Sequence, residues 1–219
     1  YEVISRQSKL SYLDTTAQVD VEYEYILDVI GKAEELDGKT SEPVTIACGL
    51  AKPALKGVIT DQGKPQLTWD AVEGAVKYEI YRSTKSNKGY TLLGEINSTG
   101  VDDMSAAVGK TYYYKIVAVG ENGKSPESSY VKLTGKCAAP WISIDTTSGK
   151  PVLSWEKVSG AKQYTVYRAT SMEGKYTKLG TTKSGTYTDS KAKTGGEYYY
   201  KVIANGSKSS YNSIYSNVK

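Results

Sequence analysis

Apolar and polar residues alternate along much of the chain, and this pattern predicts β-strands. The clearest case is TYYYKIVAV at residues 111–119, where every second side chain falls on one face of a strand. The set that we expect to point inward comprises Tyr112, Tyr114, Ile116 and Ala118. Closely similar stretches occur at residues 197–204 (EYYYKVIA) and 22–29 (EYEYILDV). The sequence of one structural unit therefore occurs three times along the chain.

The interval between these stretches sets the domain organisation. Tyr112 and Tyr198 lie 86 positions apart, a spacing that indicates tandem domains. We predict a partial domain at residues 1–50 and complete domains at residues 53–136 and 138–219, joined by short proline-containing linkers. Each complete unit has seven short strand-like stretches separated by turn signals, and helical periodicity is lacking. The sequence thus predicts an all-β fold of tandem seven-stranded antiparallel β-sandwiches in an elongated array.

Residues 1–50 match only the back half of a unit. Residues 1–6 align with residues 78–83 and residues 12–14 with residues 101–103, which leaves the two opening strands without a counterpart. A sandwich without them would expose its core face and an unpaired strand edge. We therefore expect that the chain is cut from a longer protein, or that strands from another segment or partner complete this unit.

Several spaced motifs give the units a family resemblance. They are Pro-x-Leu-x-Trp, Tyr-x-Ile/Val-Tyr-Arg, a Thr/Val-x-Asp element, Gly-x-x-Tyr-x-Tyr-x-Val/Ile-x-Ala and a serine-rich final strand. Together they resemble the fibronectin type III domain, and more narrowly its bacterial version in secreted wall-associated proteins and polysaccharide-degrading enzymes. The resemblance covers essentially the whole chain, and it is specific for fold rather than for function.

The resemblance assigns structural roles to five aromatic residues. Trp69 and Trp155 are implied to be core tryptophans of the second strand of each domain. Tyr23, Tyr112 and Tyr198 are implied to be tyrosine-corner residues, whose hydroxyls bond back to the chain upstream. The resemblance also implies an extracellular protein, secreted or associated with the cell wall.

Charge, cysteine content and the length of apolar runs restrict the kinds of partner, cross-link and membrane attachment that the chain can have. The net charge of +4 divides into −5 for residues 1–52, +2 for residues 53–137 and +7 for residues 138–219. A basic last unit suits an anionic partner such as a wall polymer or nucleic acid, but its lysines are scattered over predicted turns and strands, which favours the protection of exposed strand edges instead. Cys48 and Cys137 occupy equivalent positions one domain apart, too far to form a disulfide with each other. No apolar run approaches the roughly 20 residues that a membrane helix needs.

The residue types required for catalysis or metal binding are scarce. The chain contains no histidine, which excludes an imidazole base and, together with the lack of a CxxC pair, a zinc site. Asp102 and Asp103 are adjacent in a predicted strand and should face opposite ways, unlike the converging carboxylates of a glycosidase. Residues 118–125 resemble a phosphate-binding loop but lack its first glycine and the helix that must follow. We predict no catalytic residues, no metal and no cofactor.

Outward-facing tyrosines are the one surface feature that suggests a ligand. Tyr113 and Tyr199 should lie beside Tyr81 and Tyr167 on the neighbouring strand, with lysines close by. Aromatic faces beside polar groups suit a sugar ring or a protein partner. The alternative is that these cross-strand tyrosines only stabilise the sheet.

These observations leave three hypotheses for function. The favoured one is a non-catalytic extracellular spacer and interaction module from a larger secreted or cell-surface bacterial protein. The second is a carbohydrate-binding module that uses Tyr81, Tyr113, Tyr167 and Tyr199, and the third is an adhesion or assembly module completed by a partner's strands. The expected partners are a polysaccharide, another surface protein and neighbouring domains of a longer chain, not nucleic acid.

Overall fold

The computed structural model describes residues 1–31 and 38–219, which form three groups of antiparallel strands. The N-terminal segment contains β1 (Glu22–Tyr25) and β2 (Val44–Ala47). Sandwich A contains β3 (Lys56–Ile59), β4 (Pro65–Thr68), β5 (Lys77–Ser83), β6 (Thr91–Ile96), β7 (Gly100–Asp102), β8 (Thr111–Val119) and β9 (Val131–Thr134). Sandwich B contains β10 (Ile142–Asp145), β11 (Val152–Trp155), β12 (Gln163–Ala169), β13 (Thr177–Thr182), β14 (Thr186–Thr188) and β15 (Tyr199–Asn205), followed by a 3-10 turn at Ser209–Tyr211.

The two sandwiches share one topology. In sandwich A the strands form a three-stranded sheet in the order β3-β4-β7 and a four-stranded sheet in the order β6-β5-β8-β9. Sandwich B repeats this with β10-β11-β14 and β13-β12-β15. The C-terminal residues 213–219 complete the second sheet of B, because their backbone bonds to β15 even though they form no regular strand. The predicted all-β fold of tandem antiparallel sandwiches is thus confirmed.

Each sandwich encloses its own core, built from the alternating residues of both sheets. In A, Leu67 of β4 and Tyr114 and Ile116 of β8 are fully buried, and Trp69 packs edge-on against Tyr78 with ring centroids 5.2 Å apart. The equivalent pair in B is Trp155 and Tyr164, also at 5.2 Å. The alternation that predicted β8 therefore describes which side chains face the core.

The N-terminal segment differs from the prediction at its start. Residues 1–21 contain no strand, so the equivalence of residues 1–6 with β5 was wrong; Tyr1 and Val3 are 79% and 72% exposed. Alternation alone does not hold a strand in place where no second sheet covers its apolar side. The expected exposure of a core face is present, since Val44 and Ile46 of β2 are 56% and 51% exposed.

A buried carboxylate links the two sheets in each sandwich. Asp103, just after β7, accepts hydrogen bonds of 2.7 Å from Arg82 of β5 and from the Tyr114 hydroxyl of β8. The Ser105 backbone N–H and hydroxyl also bond to it. Burial by itself raises the pKa of Asp103, but the bonds from Ser105, Arg82 and Tyr114 outweigh burial and lower that pKa.

The same network recurs in B and, in reduced form, in the N-terminal segment. Asp189 accepts from Arg168 at 2.7 Å and from the Tyr200 hydroxyl at 2.9 Å. Asp14 accepts from the Tyr25 hydroxyl at 2.9 Å, and this bond raises the pKa of Tyr25 to about 12. In all three cases the tyrosine follows the aspartate by 11 residues.

Beside β8, two serines make the hydrogen bonds to the strand backbone that a paired strand would otherwise make. Ser128 donates its backbone N–H to the Ile116 carbonyl, and its hydroxyl oxygen accepts from the Ile116 N–H at 3.0 Å. Ser125 does the same for Ala118. In B, Ser213 makes the same two hydrogen bonds to the Ala204 backbone, and Ser216 makes them to the Val202 backbone. The sequence predicts the serine-rich final strand of A around residues 128–133, and the observed strand β9 is shorter (Val131–Thr134). Serine hydroxyls satisfy the backbone groups that a paired strand would otherwise satisfy.

We predict that acid weakens the native state through Asp103. The folded-state pKa is lowered below the ordinary value of 3.8, so this stabilisation is complete above about pH 4 and is lost as pH falls through the lower folded pKa. Asp103→Asn should cost about 3 kcal/mol at pH 7, since it leaves Arg82 partly buried without its counter-charge. It should also flatten the pH dependence of the unfolding free energy below pH 4. Asp102→Asn, at the exposed neighbouring position, is the control and should change neither quantity.

We also predict that Ser128→Ala lowers the unfolding free energy by about 1–3 kcal/mol, because it strands the buried Ile116 N–H without an acceptor. Urea unfolding measures this change. Ser129→Ala, at an exposed neighbour, should be neutral. Equal stability of the two variants would contradict the role of the Ser128 hydroxyl.

Candidate functional site

The four tyrosines predicted as ligand contacts lie on the outer faces of equivalent sheets. Tyr81 and Tyr113 belong to β5 and β8 of sandwich A, and Tyr167 and Tyr199 to β12 and β15 of B. All four are half-buried. In register, Tyr81 stands opposite Lys115 and Tyr113 opposite Ser83, so the two tyrosines of A are diagonal neighbours.

The tyrosine rings contact other partners than each other. Tyr113 packs edge-on against Tyr130 with centroids 5.3 Å apart, and Tyr167 packs edge-on against Tyr215 at 5.5 Å. Within the described residues, no ring contact joins Tyr81 to Tyr113 or Tyr167 to Tyr199. In each sandwich, one of the two predicted tyrosines is therefore partly covered by a tyrosine from another segment of the chain.

Lysines occupy the centres of these surfaces. The Lys115 ammonium lies 4.6 Å from the Tyr90 ring centroid and 2.6 Å from the Glu127 carboxylate. Lys201 of B lies 4.1 Å from the Tyr176 centroid and 5.6 Å from that of Tyr215. Tyr215 thus takes the place that Glu127 holds in A, and a cation–π contact replaces an ion pair. Because these lysines already contact rings or a carboxylate, they stabilise the sheet and are poorly placed to donate hydrogen bonds to a ligand.

Hydroxyl groups on this face are also engaged. Tyr81 donates to Glu79 and Tyr199 donates to Glu197, each at 2.8 Å. Those bonds raise the pKa of both phenols. Burial raises the pKa of Tyr167. The arrangement favours a structural role for the four tyrosines, although their ligand role stays a prediction.

The residues with expected structural roles are placed as follows. Trp69 and Trp155 lie in the two cores. The hydroxyl oxygens of Tyr23, Tyr112 and Tyr198 each accept a hydrogen bond from a backbone N–H five residues upstream. The donors are Gln18 at 3.0 Å, Ala107 at 3.3 Å and Lys193 at 3.2 Å.

The described residues hold no cluster suited to metal binding. They contain no group of three or more cysteine, aspartate or glutamate side chains that could hold an ion. Asp102 is exposed and Asp103 is buried, so the adjacent carboxylates face apart as predicted. Cys48 and Cys137 are both free, also as predicted. No helix in residues 1–31 or 38–219 is long and apolar enough to cross a bilayer.

Two shallow grooves lie on the sandwiches, one overlapping the tyrosine surface of A and one away from the tyrosines on B. One, of about 650 Å³, is lined by Lys52, Lys115, Glu127 and Tyr130, with its central charges already paired. The other, of about 380 Å³, lies on the three-stranded sheet of B beside Trp141. Trp141 is 76% exposed. Sequence reasoning missed Trp141, although it stands where sandwich A has Ala54.

Comparisons with known proteins agree with this architecture. No family model matches the chain, and no curated protein matches it. Among solved structures, the chicken interferon gamma receptor alpha chain is 12% identical, with 76% of this chain and 95% of the receptor chain covered and a TM-score of 0.57. A two-domain fibronectin type III segment of chicken tenascin is 18% identical, with 76% and 97% covered and a TM-score of 0.44. An Fn3-like protein from Clostridium thermocellum is 35% identical over 37% of this chain and 88% of its own, with a TM-score of 0.36.

The receptor alignment carries the fold assignment, since its TM-score exceeds 0.5. The fold defines a class of protein, the tandem β-sandwich proteins. The solved structures reported above include fibronectin type III domain proteins.

We predict that Tyr167→Ala lowers the stability of sandwich B by about 1 kcal/mol through loss of the edge-on pair with Tyr215. Chemical unfolding and hydrogen exchange of the β12 and β15 amides measure the change. Tyr12→Ala, at a position 49% exposed in the N-terminal segment, is the control and should leave those amides unaffected. Unchanged stability together with lost retention on polysaccharide would favour the ligand role instead.

Proposed function

We propose that the chain is a non-catalytic spacer and interaction module of a larger secreted or cell-surface bacterial protein. We propose residues 53–136 and 138–219 as its complete domains and residues 1–50 as a partial one. The observation that carries the spacer role is the junction between sandwiches A and B, where the connecting residues are hydrogen-bonded to both sides. A spacer must hold its ends apart, and a bonded junction does this better than a free linker.

Backbone bonds fix the connecting residues. The Lys136 N–H donates to the Gly63 carbonyl at 2.9 Å, and the Ala139 N–H donates to the backbone carbonyl of Asp61 at 2.7 Å; both acceptors lie in the β3–β4 turn of A. Between them, the Cys137 N–H donates at 2.9 Å to the carbonyl of Tyr211 in B. The linker is therefore bonded at alternating points to the two sandwiches.

Side chains at the junction occupy positions that repeat along the chain. Val108 lies four residues before the corner residue Tyr112 and packs on the turn of B, where a Cβ on Gly160 would lie 2.9 Å from the Val108 Cβ. Val19 holds the equivalent position before Tyr23 and faces Gly74 of A, with 3.1 Å from its Cγ1 to a Cβ built there. The same valine-on-glycine contact thus joins each unit to the next.

The residue after each valine has a left-handed backbone. Gly109 has φ +77°, and Asp20 has φ +63° in the equivalent place. Asp20 accepts from the Asn122 N–H at 3.0 Å, and its carbonyl accepts from the Asn122 side chain at 2.6 Å. Aspartate tolerates this conformation better than most residues, and here it gains bonds to the next unit.

The test compares two glycines with the same backbone and different surroundings. Gly160→Asp places a carboxylate against Val108 and should separate the rotational correlation times of A and B, as measured by ¹⁵N relaxation. Gly149→Asp is the matched control, since Gly149 has φ +80° but no atom within 4 Å of a built Cβ. In the unaltered chain the two sandwiches should tumble together. Independent tumbling there would contradict the spacer role, and hydrolysis of a polysaccharide by the purified chain would contradict the non-catalytic one.

A second candidate, an assembly module completed by a partner's strands, is favoured by the exposed apolar side of β1 and β2. Val44 and Ile46 are the exposed side chains concerned. Hydrogen exchange of the β1 and β2 amides in the protein from its natural source should then be much slower than in this chain. Equal exchange would remove this candidate.

A further inference from the structure

Sandwich B presents a polar face that carries one large exposed aromatic ring. Trp141 lies immediately before β10, on the outer side of the three-stranded sheet, with 76% of its surface exposed. The other two tryptophans, Trp69 and Trp155, are 4% and 7% exposed. An exposed tryptophan at the edge of a rigid sheet is an unusual use of the residue, because the indole ring buries a large apolar area when it can.

Hydroxyl groups form a row beside this ring. Ser143 pairs with Ser154 across β10 and β11, and Ser154 pairs with Thr186 across β11 and β14. The Ser143 and Ser154 hydroxyl oxygens are 2.8 Å apart. Because residues two apart in a strand share a face, Trp141 stands on the same face as Ser143.

A carboxylate completes the surface. Glu156 follows β11 and faces the same groove as Trp141, Ser143, Ser154, Gly185 and Thr186. Among the described residues it has no ion-pair partner within 4.0 Å. The groove has a volume of about 380 Å³ and is open to solvent, so it suits a ligand that lies along the sheet rather than one enclosed in a pocket.

Sandwich A shows the same face without these features. The pairing of β3, β4 and β7 places Lys56 where B has Ser143, and Gly100 where B has Thr186. The counterpart of Glu156 is Asp70, which lies 3.5 Å from the Lys56 ammonium. Sandwich A thus carries an exposed lysine–aspartate ion pair where B carries an aromatic ring, a row of hydroxyl groups and an unpaired carboxylate.

We propose that this face of B binds a hexose unit of a neutral or N-acetylated polysaccharide. The apolar C–H face of a pyranose ring stacks on the flat side of an indole, while its hydroxyls bond to serine, threonine and carboxylate oxygens at the ring's edge. A protein hot spot would instead require an enclosed apolar pocket around the ring, whereas this groove is open and, besides Trp155 and Gly185, is lined by Ser143, Ser154, Glu156 and Thr186. Glu156 places a negative charge in the groove while residues 138–219 as a whole carry +7, so an anionic polymer is the comparison that the test needs.

The test measures retention of the full chain on cellulose, xylan and chitin, with polygalacturonate as the anionic comparison. At least one neutral polymer should retain the chain, and Trp141→Ala should weaken retention by tenfold or more. Tyr130→Ala, which removes an exposed aromatic from sandwich A, is the control and should change retention less than twofold. The double change Ala54→Trp with Lys56→Ser transfers the surface to A and should add a second site.

Tryptophan fluorescence provides a readout independent of retention. Because the other two tryptophans are buried, iodide should quench mainly Trp141, and soluble oligosaccharides of the retained polymer should protect it. Glu156→Gln should weaken binding several-fold, while iodide still quenches Trp141 in the free protein at least as strongly as before, because a negative charge beside the ring is removed. Failure of every neutral polymer to bind, equal retention of the Trp141 variant, or preference for polygalacturonate would each overturn the proposal. None of these outcomes bears on the spacer role, which the junction variants test separately.

Discussion

A buried carboxylate at the end of β7 is the constraint on which each sandwich depends. Asp103 is almost fully buried, and an unpaired charge there would be prohibitively costly, so the fold must bring a cation and donors to it. Arg82 comes from β5 and Tyr114 from β8, both in the opposite sheet. The bonds therefore fix how the two sheets face each other. Asp189 imposes the same arrangement on sandwich B, with Arg168 and Tyr200 as partners.

Outside this shared frame, the two sandwiches diverge on their outer faces. Lys115 pairs with Glu127 in A, whereas its counterpart Lys201 contacts the rings of Tyr176 and Tyr215 in B. The other sheet changes from a lysine–aspartate pair in A to the Trp141 surface in B. Outer positions tolerate such exchanges because they carry little packing constraint, so differences between repeats are best sought there.

The candidate surface shows where prediction from the sequence was limited. Alternation placed Tyr81, Tyr113, Tyr167 and Tyr199 on outward faces, and all four lie there at least in part. It could not identify Tyr130 or Tyr215 as their ring partners, because alternation shows on which side of a strand a residue lies and not which distant residue it contacts. Trp141 stands next to Pro140 at the start of B and also lies outside any alternating run. An alignment of sandwich A with sandwich B would have identified it, because Trp141 holds the position in B that Ala54 holds in A.

By itself, the sequence determined the repeat, the strand identity of β5 and β8 and the composition of the two cores. These depend on a period-2 pattern that burial of one face makes unambiguous. Only the tertiary structure decided that residues 1–6 form no strand, that serine hydroxyls substitute for pairing beside β8 and β15, and that Val108 meets Gly160 at the junction. Each of these depends on contacts between residues distant in the chain. The local pattern of apolar and polar residues does not show which distant residue will contact a given position.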